Sequence, residues 1–176
     1  MGNAQPLNSV SIREYRGDID FPGVVAFIAM QYEHEREKQG EGKKHGGMMA
    51  PQYARELVEA IESRDGCLFM ADVGTTPVGF IAAYKMSDPD PVLEESAREH
   101  AFVRDLYVLP NWRRMGVARR LIFEVEAHFR KTGVVRLRLA GAAQNEAMQG
   151  LAKALNFQPY AVVFDRAIAQ PLKGVR

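Results

Sequence analysis

The chain has 176 residues, 47% of them apolar and 26% charged, with a formal net charge of +1 at neutral pH. That is enough chain for one domain with its own core, and so small a net charge excludes a strong field drawing the protein to nucleic acid or membrane. A single cysteine, Cys67, excludes an intrachain disulfide framework; no apolar run is long enough to span a bilayer, and "MGNAQPLNSV" lacks a signal-peptide core, so a cytoplasmic protein is expected.

The elements follow in chain order. "VSIREY", residues 10–15, alternates apolar and polar positions and reads as a short strand. In the next stretch Val24, Phe27 and Ile28 keep helical spacing, with Pro22 at a helix entrance and Gly40 at an exit. "GEGKKHGGMM", residues 40–49, is glycine-rich and aperiodic and reads as a loop. A second helix carries Pro51 near its start and Ala54, Leu57, Val58 and Ile61 on one face. "CLFMADV", "GTTP" and "VGFIAAYKM" form a strand, turn and strand, hence a hairpin. A polar excursion over residues 87–99 leads to the strand "HAFVRDLYV".

From about Gly116 to Lys131 a helix carries Val117, Leu121, Ile122, Val125 and Phe129 inward, with Gly133 just past its end. "VVRLRLA" is a strand, "QNEAMQGLAKALNF" a helix and "YAVVFDRAI" a final strand. The order is β-α-α-β-β-β-α-β-α-β. It implies an α/β (α+β) fold: a mixed central β-sheet with helices on both faces, one domain over residues 8–168 between tails 1–7 and 169–176. The strand-helix-strand unit over residues 100–140 makes its two strands parallel.

The turn "RRMGVA" stands where that unit's strand hands over to its helix. The first turn of a helix has unpaired N–H groups and an electropositive end, and a phosphate placed there accepts several of these donors. Gly116 lets the chain approach closely, Ala118 is small, and Arg113, Arg114 and Arg119 add charged donors. A pyrophosphate site is expected. A Walker loop would need Lys-Ser/Thr after a longer glycine loop, and a dinucleotide fingerprint would need G-x-G-x-x-G with an acid after the next strand; neither is present.

These residues, with the strand before them, resemble the acetyl-CoA-binding motif of the GCN5-related N-acetyltransferase (GNAT) family, Q/R-x-x-G-x-G/A. Arg113, Gly116 and Ala118 stand at its marked positions, "LYVLP" is similar to its strand, and Asn145 with "LAKALNF" resembles the second cofactor motif. The element order resembles the family's over residues 10–166. The resemblance implies an acyl-CoA N-acyltransferase fold with acetyl-CoA in a V-shaped gap between the fourth and fifth strands. The backbone of Leu106, Tyr107 and Val108 would pair with the pantetheine arm. The amides from Arg114 through Met115, Gly116, Val117 and Ala118 to Arg119 would hold the pyrophosphate, and Asn145 would contact the cofactor. The Val108 amide would stabilise the developing oxyanion. A primary amine would attack directly, so Cys67 is not needed as a nucleophile.

The chain departs from the family pattern at two places. Ala152 stands where a tyrosine often protonates the departing thiolate, and Asn156 stands where glycine is usual; asparagine tolerates the left-handed geometry of a helix end. A thiol pKa of about 8.5 lets the thiolate leave without a dedicated acid.

A base is wanted for the acceptor amine. Strict alternation along "HAFVRDLYV" groups His100, Phe102, Arg104, Leu106 and Val108 on one face and puts Asp105 on the other with Val103 and Tyr107. On that grouping His100 is the candidate base and Arg104 a binder of an acidic acceptor group. Tyr160 on the last strand is a candidate replacement acid. Glu33, His34, Glu35 and Glu37 alternate with Arg36 and Lys38 as a solvated helix face, so no metal is expected. The expected activity is N-acetyl transfer from acetyl-CoA to an amine of a small molecule or peptide, with a homodimer as a candidate assembly and neither nucleic acid nor membrane as partner. The alternative is a non-catalytic acyl-CoA-binding module, suggested by Ala152.

Overall fold

The computed structural model describes residues 9–39, 46–94 and 98–164. Five strands form one sheet in the order β1-β2-β3-β4-β5: β1 (Val10–Glu14), β2 (Cys67–Val73), β3 (Thr76–Ser87), β4 (Glu99–Val108) and β5 (Leu137–Leu139). The first four are antiparallel neighbours, and β4 and β5 run parallel. The helices are α1 (Phe21–Gln39), α2 (Gly46–Ser63), α3 (Val117–Lys131) and α4 (Glu146–Ala154).

The sheet separates two apolar cores. On one face α1 and α2 bury Val24, Ile28, Ala54 and Leu57 against Met70, Phe80 and Tyr107. On the other, Val117, Leu121, Ile122, Val125 and Phe129 of α3 cover Phe69, Ile81 and Val103, with Leu151 of α4 and its C-cap Leu155 packed alongside. The inward face of α3 is the one its 3.6-residue period dictates. The mixed sheet with helices on both faces is as expected.

Three local readings change. Residues 46–49 are the first turn of α2 rather than loop, and Pro51 sits inside the helix. Ala50 is fully buried there, and tertiary packing of this kind outweighs the glycines' poor propensity; residues 40–45 lie outside the described residues. The fifth strand is only three residues long. The expected closing strand is not formed over residues 160–164, where Val162, Val163 and Phe164 are exposed; residues 165–168 lie outside the described residues.

One irregularity positions everything that follows. In the β3–β4 ladder Ala82 faces Asp105 and Ala83 faces Val103, so Arg104 has no partner and forms a bulge. A bulge inserts one residue and resets the side-chain alternation beyond it.

Candidate active site

The β4–β5 ladder contains only the pairs Ala101↔Leu137, Phe102↔Arg138 and Val103↔Leu139. It ends one residue before the bulge, and from there the two strands part. The Leu109 N–H donates to the Val78 carbonyl at 2.9 Å, towards β3. Alternation therefore turns the Val108 N–H to the opposite edge, into the opening left by β5, and the same holds for Leu106. The Val108 carbonyl on that edge accepts from Arg113 Nε at 2.9 Å.

The loop after β4 brings α3 to this opening. Pro110–Trp112 form a single 3-10 turn. Arg114 then takes a left-handed φ of 61° and Gly116 one of 78°. Gly116 is the N-cap of α3 and offers no side-chain cap. The helix's own hydrogen bonds begin at Arg120 N–H to Gly116 O, 3.1 Å, so the amides of Val117, Ala118 and Arg119 have no intrahelical acceptor. The guanidinium of Arg113 lies 5.4 Å from the Tyr107 ring centroid and that of Arg119 lies 5.1 Å from the Phe123 centroid. Arg120 donates to Val10 O at 2.6 Å and fastens α3 to β1.

The opposite face of β4 carries a carboxylate that strict alternation misplaces. Because of the bulge, Asp105 points towards α1 and α2. Its Oδ2 accepts from the Tyr53 hydroxyl at 2.8 Å and its Oδ1 from Gln31 Nε2 at 3.2 Å. Asp105 is only 4% exposed. Burial raises its carboxyl above the ordinary carboxylate range, against the opposing pull of the Tyr53 hydrogen bond and the Arg104 charge. Burial, and then the Asp105 charge, also push the Tyr53 hydroxyl upward. The Tyr32 ring meets Tyr53 edge-on at 5.4 Å, and the Arg104 guanidinium lies 5.5 Å from the Tyr53 centroid. A buried carboxylate with raised proton affinity, beside an exposed cation, can accept a proton from a bound group.

The acetyltransferase (GNAT) family matches residues 27–157 of the sequence, a span that holds β2 to α4, the bulge and the uncapped helix. The chain belongs to this family. No curated protein matches this acetyltransferase-family sequence. Its fold is similar to that of the aminoglycoside N-acetyltransferase AAC(6')-Iy in complex with CoA, at 20% identity over 91% of this chain and 95% of that one, TM-score 0.65. It is also similar to a GCN5-related N-acetyltransferase from Ralstonia eutropha JMP134, at 17% identity over 94% and 99%, TM-score 0.68. A third similar structure is the aminoglycoside antibiotic 6'-N-acetyltransferase AAC(6')-IG from Acinetobacter haemolyticus, at 18% identity over 90% and 99%, TM-score 0.63. At such identities the likeness carries the fold.

Within this GNAT fold the residues singled out from sequence divide. Leu106 and Val108 present their backbone to the opening, and Arg113, Arg114, Met115, Gly116, Val117, Ala118 and Arg119 form the turn and first helical residues beside it. Tyr107 does not join them: it pairs with Phe80 of β3, and its ring is buried in the α1–α2 core. Asn145 caps α4, its side chain accepting from Met148 N–H at 3.1 Å. Asn156 takes the expected left-handed φ, 60°. Around it Phe157 N–H bonds Ala152 O at 2.9 Å and Asn156 N–H bonds Lys153 O at 3.1 Å, the two bonds of a Schellman end.

Two catalytic candidates lie at the far end of β4 from the opening. His100 is 3% exposed, its Nδ1 is 3.1 Å from Arg98 O, and eight residues of strand, roughly 26 Å, separate it from Val108. Tyr160 lies beside that same end: its hydroxyl donates to Asp88 at 3.2 Å and its ring stacks at 3.8 Å under the guanidinium of Arg138, the partner of Phe102. A cavity of about 670 Å³ bordered by Ala101, Leu137, Phe157 and Tyr160 belongs to this remote end. Cys67 is buried, and burial pushes its thiol up to about 12, so it stays protonated and inert near neutral pH. The grouping of Leu106 and Val108 with His100 and Phe102 is replaced by one in which Asp105 joins His100, Phe102 and Arg104. Asp105, Tyr53 and Gln31, which the structure brings together, were not among the candidates read from the sequence. An acid one residue beyond Arg104, before "LYVLP", was the one local signal.

Proposed function

We propose that this GNAT-family chain transfers an acetyl group from acetyl-CoA to a primary amine by direct attack. The observation that carries this reading is the bulge at Arg104, where an open strand edge on one side of β4 and a buried carboxylate on the other come within a few residues. The residues fit coenzyme A: a glycine N-cap without a competing side chain, three amides without intrahelical acceptors, and arginines around them. Acetyl-CoA, when bound, supplies an activated acyl thioester.

The chain's own part is positioning and charge. The amides of Val117, Ala118 and Arg119, with Arg114, receive the diphosphate. The backbone of Leu106 and Val108 aligns the pantetheine arm in place of a sixth strand. The Val108 N–H then points at the thioester carbonyl oxygen, where negative charge develops, and a fixed dipole there lowers the barrier without reorganising. Asp105 takes the proton of the acceptor amine. Asp105 and Val108 are three steps of strand apart, about 10 Å, so the proton travels through water. Tyr53 and Gln31 hold the carboxylate in place. Ala152 provides no acid, and the thiolate leaves as the anion.

Calorimetry with acetyl-CoA and CoA, followed by thiol release over an amine panel, tests the proposal. Failure of both coenzyme forms to bind at millimolar concentration defeats it. Binding without release on any amine favours the second reading, an acyl-CoA-binding module, which Ala152 suggests.

A further inference from the structure

We infer that the acceptor amine carries an anionic group, and that Arg104 receives it. The inference deepens the transferase reading and rests on it. The bulge sends two consecutive residues of opposite charge to one face of β4. Asp105 is deep, and each of its oxygens accepts one hydrogen bond, from Tyr53 or Gln31, which leaves further acceptor capacity. Arg104 is exposed and lies over the outer side of Tyr53. No carboxylate among the described residues is within ion-pair distance of its guanidinium. A planar fork with several unused donors, held against an aromatic ring, is suited to a carboxylate or phosphate.

The buried groups beside Arg104 ask for the opposite chemistry. Gln31 gives its Nε2 to Asp105, while its Oε1 is buried and has no partner among the described residues. Such an acceptor costs free energy until a donor reaches it. Asp105 and Gln31 Oε1 together ask for N–H groups; Arg104 at the rim asks for an anion. The complementary ligand is zwitterionic, an ammonium at one end and a carboxylate or phosphate at the other. A polycationic acceptor would meet the Arg104 charge, and Glu33 of α1 is paired with Arg36 at 2.9 Å. Glu35 of α1 is a carboxylate whose charge is felt at Asp105.

The test is thiol release from acetyl-CoA by the wild-type chain with matched amines. β-Alanine and 4-aminobutyrate are compared with their amides, phosphoethanolamine with ethanolamine, and spermidine and neamine serve as polycations. The expected result is a kcat/KM at least ten-fold higher for the anionic member of each pair, residing in KM. Arg104→Met removes that gap and Arg104→Glu shifts preference to the polycations. Equal rates for acid and amide, or a wild-type preference for polycations, overturn the inference while leaving the transferase reading standing. No release with any amine overturns the transferase reading, and the inference with it. The wild-type panel decides the matter even if the variants fail to fold.

Discussion

The Tyr53 hydroxyl donates to Asp105 Oδ2 at 2.8 Å, joining the middle of α2 to the residue just past the bulge in β4. This hydrogen bond stabilises the ionised carboxylate and so opposes the upward pull of burial. In Tyr53→Phe the Asp105 carboxyl should rise further. Since the reaction needs the ionised form, the acid limb of the kcat/KM profile should move to higher pH. An unmoved limb would separate Asp105 from the proton transfer.

Asp105→Asn should uncouple activity from stability. A carboxyl whose folded value is raised stabilises the protein at low pH, and that contribution disappears as pH rises through the folded value. Above it, the buried charge is a burden that asparagine removes. Thermal melts near neutral pH should show the variant equal to or more stable than the parent, while kcat falls about a hundred-fold or more. Loss of both together would mean that Asp105 is chiefly structural.

Acid stability should depend on the other buried acids. Arg13 binds both Asp20 and Asp72, and with the Arg16 backbone it lowers Asp20 from 3.8 to about 2. A depressed carboxylate stabilises the fold above its unfolded value, and the benefit is lost as pH falls from about 4 towards 2; a shift of this size corresponds to about 2 kcal/mol. Arg13→Ala strands two buried acids and should cost about 3 kcal/mol at neutral pH, read by denaturant unfolding.

The two left-handed residues of the turn before α3 should respond in opposite directions. Arg114 holds φ 61°, a conformation that costs a non-glycine residue about 1 kcal/mol. Arg114→Gly should therefore raise the melting temperature by roughly 3 °C. Gly116→Ala introduces the same strain at φ 78° and should lower stability by about 1 kcal/mol. Both should weaken CoA in calorimetry, the first through lost charge and the second through the added methyl group.

Asn145 should behave first as a cap. Asn145→Ala removes the bond to Met148 N–H and should cost about 1 kcal/mol, and Asn145→Ser should recover most of it. A weaker CoA affinity in the serine variant, with stability restored, would add a cofactor contact to the capping role.

What the sequence could determine was local. A helix period declares its buried face within a few turns, so Leu121, Ile122, Val125 and Phe129 were legible as the stripe of α3, and Asn156 as a position that tolerates left-handed geometry. The turn over residues 113–119 was legible for the same reason, since its unpaired donors are consecutive residues. Even the distance between His100 and Val108 was latent in their separation along the strand. Tertiary structure decided the rest. Strict alternation holds only while each residue has a partner, and the partner is on another strand: the step from Ala82 to Ala83 in β3 makes Arg104 the unpaired residue and turns Asp105 towards α2. Tyr53 and Gln31 likewise acquire meaning only from packing, because polar positions on two helices carry no distance to a strand until the sheet and both helices are assembled.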